Sequence, residues 1–281
     1  MITAEEYRSL ASEGFIPGPD ESEDEFIRRV DLLRGLNGHK RCLSVRKLGG
    51  EFRYLTHHLH SLGVTLNWIP LVYSNRKLLP WQGAVSWTTE TPEGVPFSFI
   101  QLRRGFKGGR GVFNRQEEVL CHEAVHLMRA TFNEPRFEEI LAYFHSTKGW
   151  RSLLGPIFRK PSQALFFFSL SCASLATQVA APFFLSDSPL FPYIKFCLLI
   201  PSFDLLLRFI FLIRDRHIFK KTLRTLRALF PRQNTPFAIA LHLKDSEIQS
   251  FAKRPRRELL SYIREKSAFS PRWQQIISQF S

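Results

Sequence analysis

The chain has 281 residues, which is enough for one full domain and a smaller one. Hydrophobic residues make up 44% of it and include 27 phenylalanines, so the chain can form a buried core. Its net charge of +14 comes with no zinc-finger spacing and no aromatic-laced basic strand pair, so we expect no nucleic-acid partner. The four cysteines are scattered without metal-ligand or disulfide spacing, which suits a reducing compartment.

Two helix starts are predicted near the N-terminus, and no signal peptide is predicted there. Thr3 and Ser22 each precede acidic residues in the pattern of a helix N-cap. The first residues contain neither a basic stretch nor an apolar stretch of the kind that a signal peptide needs. We therefore expect residues 1–36 to form a helical segment that packs on the rest of the chain or on a partner.

A small sheet is predicted in the region that follows. Partly alternating apolar residues between turn residues indicate strands at 64–72, 84–89 and 96–102. The last of these strands is a candidate for the sheet edge that pairs with an extended peptide substrate. The ordinary interpretation, that it is an inner strand, carries equal weight.

A predicted helix near the middle of the chain contains the pattern His-Glu-x-x-His. His122 and His126 lie four residues apart and project from one helix face, where two imidazoles can share one zinc ion. Glu123 then lies beside the metal position and can take a proton from the attacking water. Chance gives this pattern in roughly one chain in a hundred of this length. The small, apolar Ala124 and Val125 favour a buried active-site helix over a solvated one.

A third ligand is expected on the helix that follows, because a catalytic zinc takes three protein ligands and leaves one position open. Asn133 and Pro135 are predicted to end the first helix. A second helix is then predicted to start near Glu134 or Pro135 and to carry Glu138 and Glu139. A turn between two helices can bring one of these carboxylates over the histidine pair. The alternative is that both glutamates lie on a solvated helix face.

With this pattern and a downstream glutamate, residues 95–145 resemble the zincin metallopeptidases, specifically the gluzincin type. In that family the ligand glutamate is often followed three residues on by a small residue and four residues on by an aspartate. Ala142 stands at the first of these positions relative to Glu139, so the resemblance implies Glu139 rather than Glu138 as the third ligand. Tyr143 replaces the aspartate, which in the family steadies a ligand histidine. Tyr143 and His145 are the nearby candidates for a transition-state donor.

Two long apolar runs follow and predict a membrane hairpin. Residues 161–186 contain no charged residue and are long enough for one membrane span. The second run, residues 190–213, contains Lys195 near its start and the pair Asp204 and Arg208, which can meet on one helix face. The alternatives are two buried helices of a soluble core and a re-entrant pair.

The charges that flank the two runs predict the topology. Basic residues stand outside both outer ends, whereas the turn between the runs holds only Asp187, with Lys195 some way beyond it. By the positive-inside rule, both termini of this two-span, multi-pass membrane protein are expected to face the cytoplasm. Residues 217–233 are predicted to form a basic amphipathic helix near anionic lipid headgroups.

Together these patterns predict an α+β fold with a small zincin-like sheet and active-site helices, followed by a two-helix transmembrane hairpin and a helical C-terminal region. The predicted divisions are residues 1–36 (helical segment), 37–150 (zincin-like metallopeptidase domain), 161–213 (hairpin) and 214–281 (basic helical region). The predicted function is a membrane-anchored zinc (Zn2+) metallopeptidase that hydrolyses peptide or protein substrates at the cytoplasmic face. The alternatives are a zinc hydrolase of a non-peptide bond and a non-catalytic protein whose hairpin resembles the bilobed hydrophobic segment of inclusion-membrane proteins.

Overall fold

The chain forms a mostly helical structure with a small mixed sheet. The computed structural model describes residues 2–36, 46–47, 59, 62–64, 70–79, 82–90, 94, 96–108, 116–144, 146–184, 188–189, 191–231 and 236–280. Its strands are β1 (Arg46–Lys47), β2 (Pro70–Tyr73), β3 (Ala84–Glu90) and β4 (Pro96–Leu102). Its helices are α1 (Ala4–Ser12), α2 (Glu23–Leu36), α3 (Gln116–Met128), α4 (Pro135–Ala142), α5 (Gly149–Leu154), α6 (Pro161–Phe184), α7 (Phe191–Ile194), α8 (Leu199–Leu229), α9 (Pro236–Ala240), α10 (Asp245–Lys253), α11 (Arg256–Phe269) and α12 (Pro271–Phe280).

Both predicted N-terminal helix starts are present, and the helices they begin pack against the far end of the chain. Thr3 and Glu6 form a capping box at the start of α1, in which each side chain bonds the other residue's backbone N–H. The Tyr7 hydroxyl donates to Gln274 Oε1 on α12 at 3.0 Å. The buried Gln275 side chain donates to the carbonyl of Phe15 at 2.9 Å. The N-terminal segment is therefore joined to the C-terminal helices.

The described strands form one sheet in the order β1-β2-β4-β3. β4 pairs in parallel with β2 and in antiparallel with β3, and Ile100 of β4 is opposite Leu71 on one side and Ser86 on the other. The prediction that β4 is a sheet edge was therefore wrong, and its inner position explains why Ile100 and Leu102 are fully buried. The edge strand next to β4 is β3. Residues 65–69 of the predicted first strand lie outside the described residues.

Two described helices, α6 and the helix that contains α8, are long and apolar enough to cross a membrane. Only 17% and 11% of their most apolar stretches is buried inside the protein, whereas a core helix of a soluble domain would be mostly buried. Within the second helix, Arg208 pairs with Asp204 at 2.7 Å and its guanidinium lies over the ring of Phe158, near the start of α6. The predicted turn residue Asp187 lies outside the described part of the chain.

The second long helix does not end with its apolar run. α8 continues without interruption from Leu199 to Leu229, so the predicted division between residues 213 and 214 falls inside a single helix. The basic segment predicted from residue 217 is the continuation of this helix. Its buried face packs on α10, where the Thr222 hydroxyl donates to the carbonyl of Ile248 at 2.5 Å.

One buried carboxylate joins this helix to the rest of the fold. Asp215 of α8 is fully buried and accepts from Arg136 Nη2 of α4 at 2.6 Å. It also accepts from Arg159, which stands just before α6. Arg214 lies farther away, with Nε at 3.5 Å from the carboxylate. Asp215 thus connects both apolar helices to α4.

We expect Asp215→Asn to destabilise the protein by about 1–3 kcal/mol, because the partly exposed Arg136 and Arg159 would lose a charged hydrogen-bond acceptor. Thermal unfolding of the detergent-solubilised chain measures this change. Arg214→Gln is the matched control, since its mostly exposed side chain should contribute less than about 0.5 kcal/mol. Equal unfolding temperatures for Asp215→Asn and wild type would show that the three-way contact is not stabilising.

Candidate metal centre

The helix α3, which carries both predicted ligand histidines, is buried on nearly all sides. It packs against β3 and β4 on one side and α4 on another. Its buried apolar side chains, which surround much of the helix, are Val119, Leu120, Ala124, Val125, Leu127 and Met128. A helix that is apolar on most of its surface is held in place by packing. The polar face of His122 and His126 is therefore fixed by the core behind it.

The turn after α3 brings α4 back beside it. Asn133 has a φ of 48°, a left-handed conformation that asparagine tolerates better than most residues. Pro135 then occupies the first turn of α4, where its missing N–H has no cost. The predicted start of the second helix is thus observed. The reversal places Glu138 and Glu139 next to the histidines of α3.

Three of the predicted site residues, His122, His126 and Glu139, converge on one point, the candidate metal centre. His122 Nε2 and His126 Nε2 are 3.1 Å apart. Glu139 Oε2 lies 3.7 Å from His122 Nε2, and Glu139 Oε1 lies 3.4 Å from His126 Nε2. Ligand atoms at about 2.0–2.1 Å from a tetrahedral zinc are about 3.3–3.4 Å from one another. The three measured separations bracket that value, so the geometry fits one zinc ion, and zinc binding itself stays a prediction.

Glu138 has a different place from Glu139. Its carboxylate accepts from His126 Nδ1 at 3.2 Å and from Arg129 Nε at 2.7 Å. Since a carboxylate can only accept, His126 donates through Nδ1, and its Nε2 is aimed at the centre. Glu138 thus orients the ring of His126, a task that the resemblance to the zincins would assign to an aspartate four residues after the predicted ligand. The zincin pattern could not predict this role, because Glu138 lies one residue before Glu139 and not four after it.

Arg129 supports Glu138 from behind. Its side chain is fully buried, and its Nη1 donates to the carbonyls of Leu241 and Leu243 at 2.7 and 2.9 Å. These carbonyls belong to the turn that follows α9 in the C-terminal region. That region, which the sequence predicted as a separate helical segment, therefore holds part of the centre in position.

Glu123, the predicted base, is buried beside the centre. Its Oε2 accepts from the backbone N–H of Ser86 on the edge strand β3 at 2.7 Å. Burial raises the pKa of the Glu123 carboxyl, although His126 and the Ser86 bond lower it in part. A raised pKa brings a carboxylate closer to the range in which it exchanges protons at neutral pH. The position and the electrostatics of Glu123 therefore suit a general base.

Tyr143 lies against the centre through its ring. The ring centroid is 4.2 Å from that of His122, and the Arg151 guanidinium lies 5.7 Å from the Tyr143 centroid. A Cβ atom on Gly155 would approach the Tyr143 ring to 2.7 Å, so only glycine leaves room for the ring there. Burial, followed by the charge of Glu139, raises the pKa of Tyr143. The other predicted donor, His145, lies outside the described residues.

The centre carries more acidic groups than basic ones, and only one of its three glutamates, Glu123, is almost fully buried. Burial raises the pKa of Glu139 to about 7, and the charges of Glu123 and Glu138 act in the same direction against His126. Burial would lower the pKa of His126, but the bond to Glu138 and the charges of Glu139 and Glu123 outweigh it and raise that pKa to about 9. Burial lowers the pKa of His122 well below its usual range. A divalent cation at His126 Nε2 would replace a proton on that nitrogen and would balance the negative charge of the carboxylates.

Comparisons of the chain with protein-family models, with curated proteins and with solved structures found no match. The resemblance to the zincins therefore depends on the His-Glu-x-x-His pattern and the downstream glutamate alone.

We expect Glu139→Gln and Glu138→Gln to affect zinc differently. Glu139→Gln should abolish stoichiometric zinc, because it removes the anionic ligand. Glu138→Gln should keep one zinc per chain but weaken its affinity by about 10–100-fold, as loss of a partner of a ligand histidine does. Bound metal measured by mass spectrometry, together with competition by a chelator, separates the two effects. The reverse order would make Glu138 the ligand, and no effect from either variant would exclude this metal site.

Proposed function

We propose that the protein is a membrane-anchored zinc-dependent metallopeptidase that acts at the cytoplasmic face. The observation that carries this proposal is the convergence of His122, His126 and Glu139 with the buried Glu123 beside them. The side chains of His122, His126 and Glu139 are each between 14% and 19% exposed, so the cluster is not sealed from solvent. Three protein ligands with access for a water are what a catalytic zinc requires, whereas a structural zinc is closed by four.

Each residue of the centre has a separate task in peptide hydrolysis. A zinc ion held by His122, His126 and Glu139 would supply a Lewis acid for the scissile carbonyl and would lower the pKa of the attacking water. Glu123 takes a proton from the attacking water and passes it to the leaving amine. The N–H of Ser86 holds the Glu123 carboxylate in one orientation during both transfers. Glu138 and Arg129 hold the ring of His126.

The edge strand β3 is the candidate for binding an extended substrate, in place of the inner strand β4. β3 pairs only with β4 among the described strands, so its other edge is not taken by a strand there. The contact between Ser86 and Glu123 places this strand at the rim of the centre. Main-chain pairing with such an edge binds a peptide largely independently of its sequence.

The position of the two apolar helices favours a substrate that is itself bound to the membrane. Through Asp215, both are joined to α4, the helix that carries Glu139. A centre held this way stays near the bilayer surface if the helices span it. We therefore propose that the substrates are peptides or proteins at or in the membrane. A zinc hydrolase of a non-peptide bond and a non-catalytic hairpin protein are the alternatives that the following experiments separate.

Glu123→Gln should keep zinc and lose peptide hydrolysis by at least about a hundredfold, because the amide cannot accept the proton. Digestion of a peptide library, read by mass spectrometry, measures the loss. Glu117→Gln, the same change on the same helix but outside the centre, should keep full activity. Activity retained in Glu123→Gln would rule out this role. A zinc-loaded wild type that cleaves no peptide would favour a non-peptide substrate, and a wild type without zinc would favour the non-catalytic alternative.

Cysteine labelling tests the topology. In a background without the native cysteines, a cysteine at position 187 should react with an impermeant reagent added outside the cell. Cysteines at positions 148 and 220 should react only after the membrane is permeabilised, because the basic flanks keep both ends in the cytoplasm. Release of the intact chain by alkaline carbonate without detergent would show that the apolar helices do not span. The peptidase proposal would survive that result, but the restriction to membrane substrates would not.

A further inference from the structure

A basic groove lies away from the metal centre, between the second half of α8 and the junction of α10 with α11. It has a volume of about 650 Å³. Its walls are formed by His217, Lys220, Lys221, Arg224, Thr225, Ala228, Leu229, Arg254 and Arg256. Six of these nine side chains are basic and none is acidic. The groove therefore concentrates positive charge from two separate elements on one concave surface.

The basic side chains of this groove have no acidic partners in the described part of the chain. None of its lysines and arginines forms an ion pair there. Elsewhere the protein pairs its buried arginines, as in Arg129 with Glu138 and Arg272 with Glu247. Within α8, Lys220 and Lys221 stand four and three residues before Arg224, spacings at which like charges repel. An anion bound in the groove would relieve this repulsion.

The walls of the groove are held at a fixed separation. The fully buried Thr222 of α8 donates to the carbonyl of Ile248 on α10. Phe219 and Leu226 on the same face of α8 are buried in the core that also contains Ile248 and Phe251. Arg254 caps the C-terminus of α10, which packs on α8, and Arg256 begins α11 two residues later. The charges therefore meet a ligand from two directions without a large rearrangement.

We propose that this groove binds a compact anion that carries more than one phosphate group. Several separate cationic side chains suit several phosphates, with the arginines offering two parallel N–H donors each and the lysines single point charges. Two sources have this chemistry, namely a multiply phosphorylated lipid headgroup and a soluble polyphosphate. Along α8, Lys220 and Arg224 lie about 10 and 16 Å beyond Ile213, the end of the apolar run. Both a headgroup that extends from the bilayer and a soluble anion can reach side chains at those distances from the apolar run.

Binding is tested with the full-length protein and two probes. Inorganic tripolyphosphate is titrated calorimetrically into the protein in detergent and in nanodiscs. The nanodiscs contain either a phosphatidylinositol bisphosphate or phosphatidylserine at equal lipid charge. We expect saturable binding of one tripolyphosphate per chain in detergent. If tripolyphosphate no longer binds in the phosphoinositide nanodiscs but still binds in the phosphatidylserine nanodiscs, the lipid headgroup is the ligand. If tripolyphosphate binds equally well in both kinds of nanodisc, the ligand is a soluble polyphosphate.

Matched variants distinguish a site from diffuse charge. Arg224→Gln and Arg256→Gln, one on each wall, should each weaken binding by at least tenfold. Arg264→Gln removes the same charge from an exposed position of α11 outside the groove and should change affinity less than twofold. Circular dichroism verifies that each variant is folded. An equal loss in Arg264→Gln, or the absence of saturable binding of both probes, would overturn the proposal.

Discussion

The centre depends most on one buried cation. Arg129 contacts Glu138 through one nitrogen and two C-terminal carbonyls through another, and Glu138 in turn bonds His126. A buried guanidinium that lost these acceptors would be strongly destabilising, so the α3–α4 unit and the C-terminal helices have to fold together. The position of His126 is thereby coupled to the packing of a region more than a hundred residues away in sequence. The centre therefore depends on the whole fold as well as on the local His-Glu-x-x-His motif.

A second carboxylate extends this coupling to the apolar helices. Asp215 holds Arg136, at the start of the helix that carries Glu139, and Arg159, at the entrance of α6. The two arginines therefore neutralise the one buried acid of α8 at the point where its apolar run gives way to its basic half. A motion of either long helix would have to break the bonds of Asp215 to Arg136 and Arg159 or move α4 with it. The helices and α4 are therefore expected to move as one unit.

Much of the centre could be predicted from sequence, because its first elements are local. The i, i+4 spacing of His122 and His126 is set by helix geometry, and Asn133 with Pro135 indicates the reversal. The helix starts and the strands at 84–89 and 96–102 follow from capping and alternation. The role of Glu138 could not be predicted, since its partner Arg129 takes that orientation only through carbonyls at 241 and 243. The edge strand was misassigned because sheet order depends on β2, whose parallel pairing with β4 leaves no periodicity in the sequence.

The uneven charge of the chain has a consistent physical use. A protein with a net charge of +14 nevertheless gathers Glu123, Glu138 and Glu139 around two imidazoles in a poorly solvated space. The glutamates and the imidazoles are close enough that their mutual interactions are stronger than the attraction of the glutamates to cationic side chains elsewhere. Solvent ions screen the field of those distant cations over about 8–10 Å. The positive charge accumulates instead along the second half of α8, beyond the apolar run of that helix, where an anionic membrane surface would attract it. The acidic and the basic groups therefore belong to different elements of the same chain, with the three glutamates on α3 and α4 and the basic side chains mainly on α8.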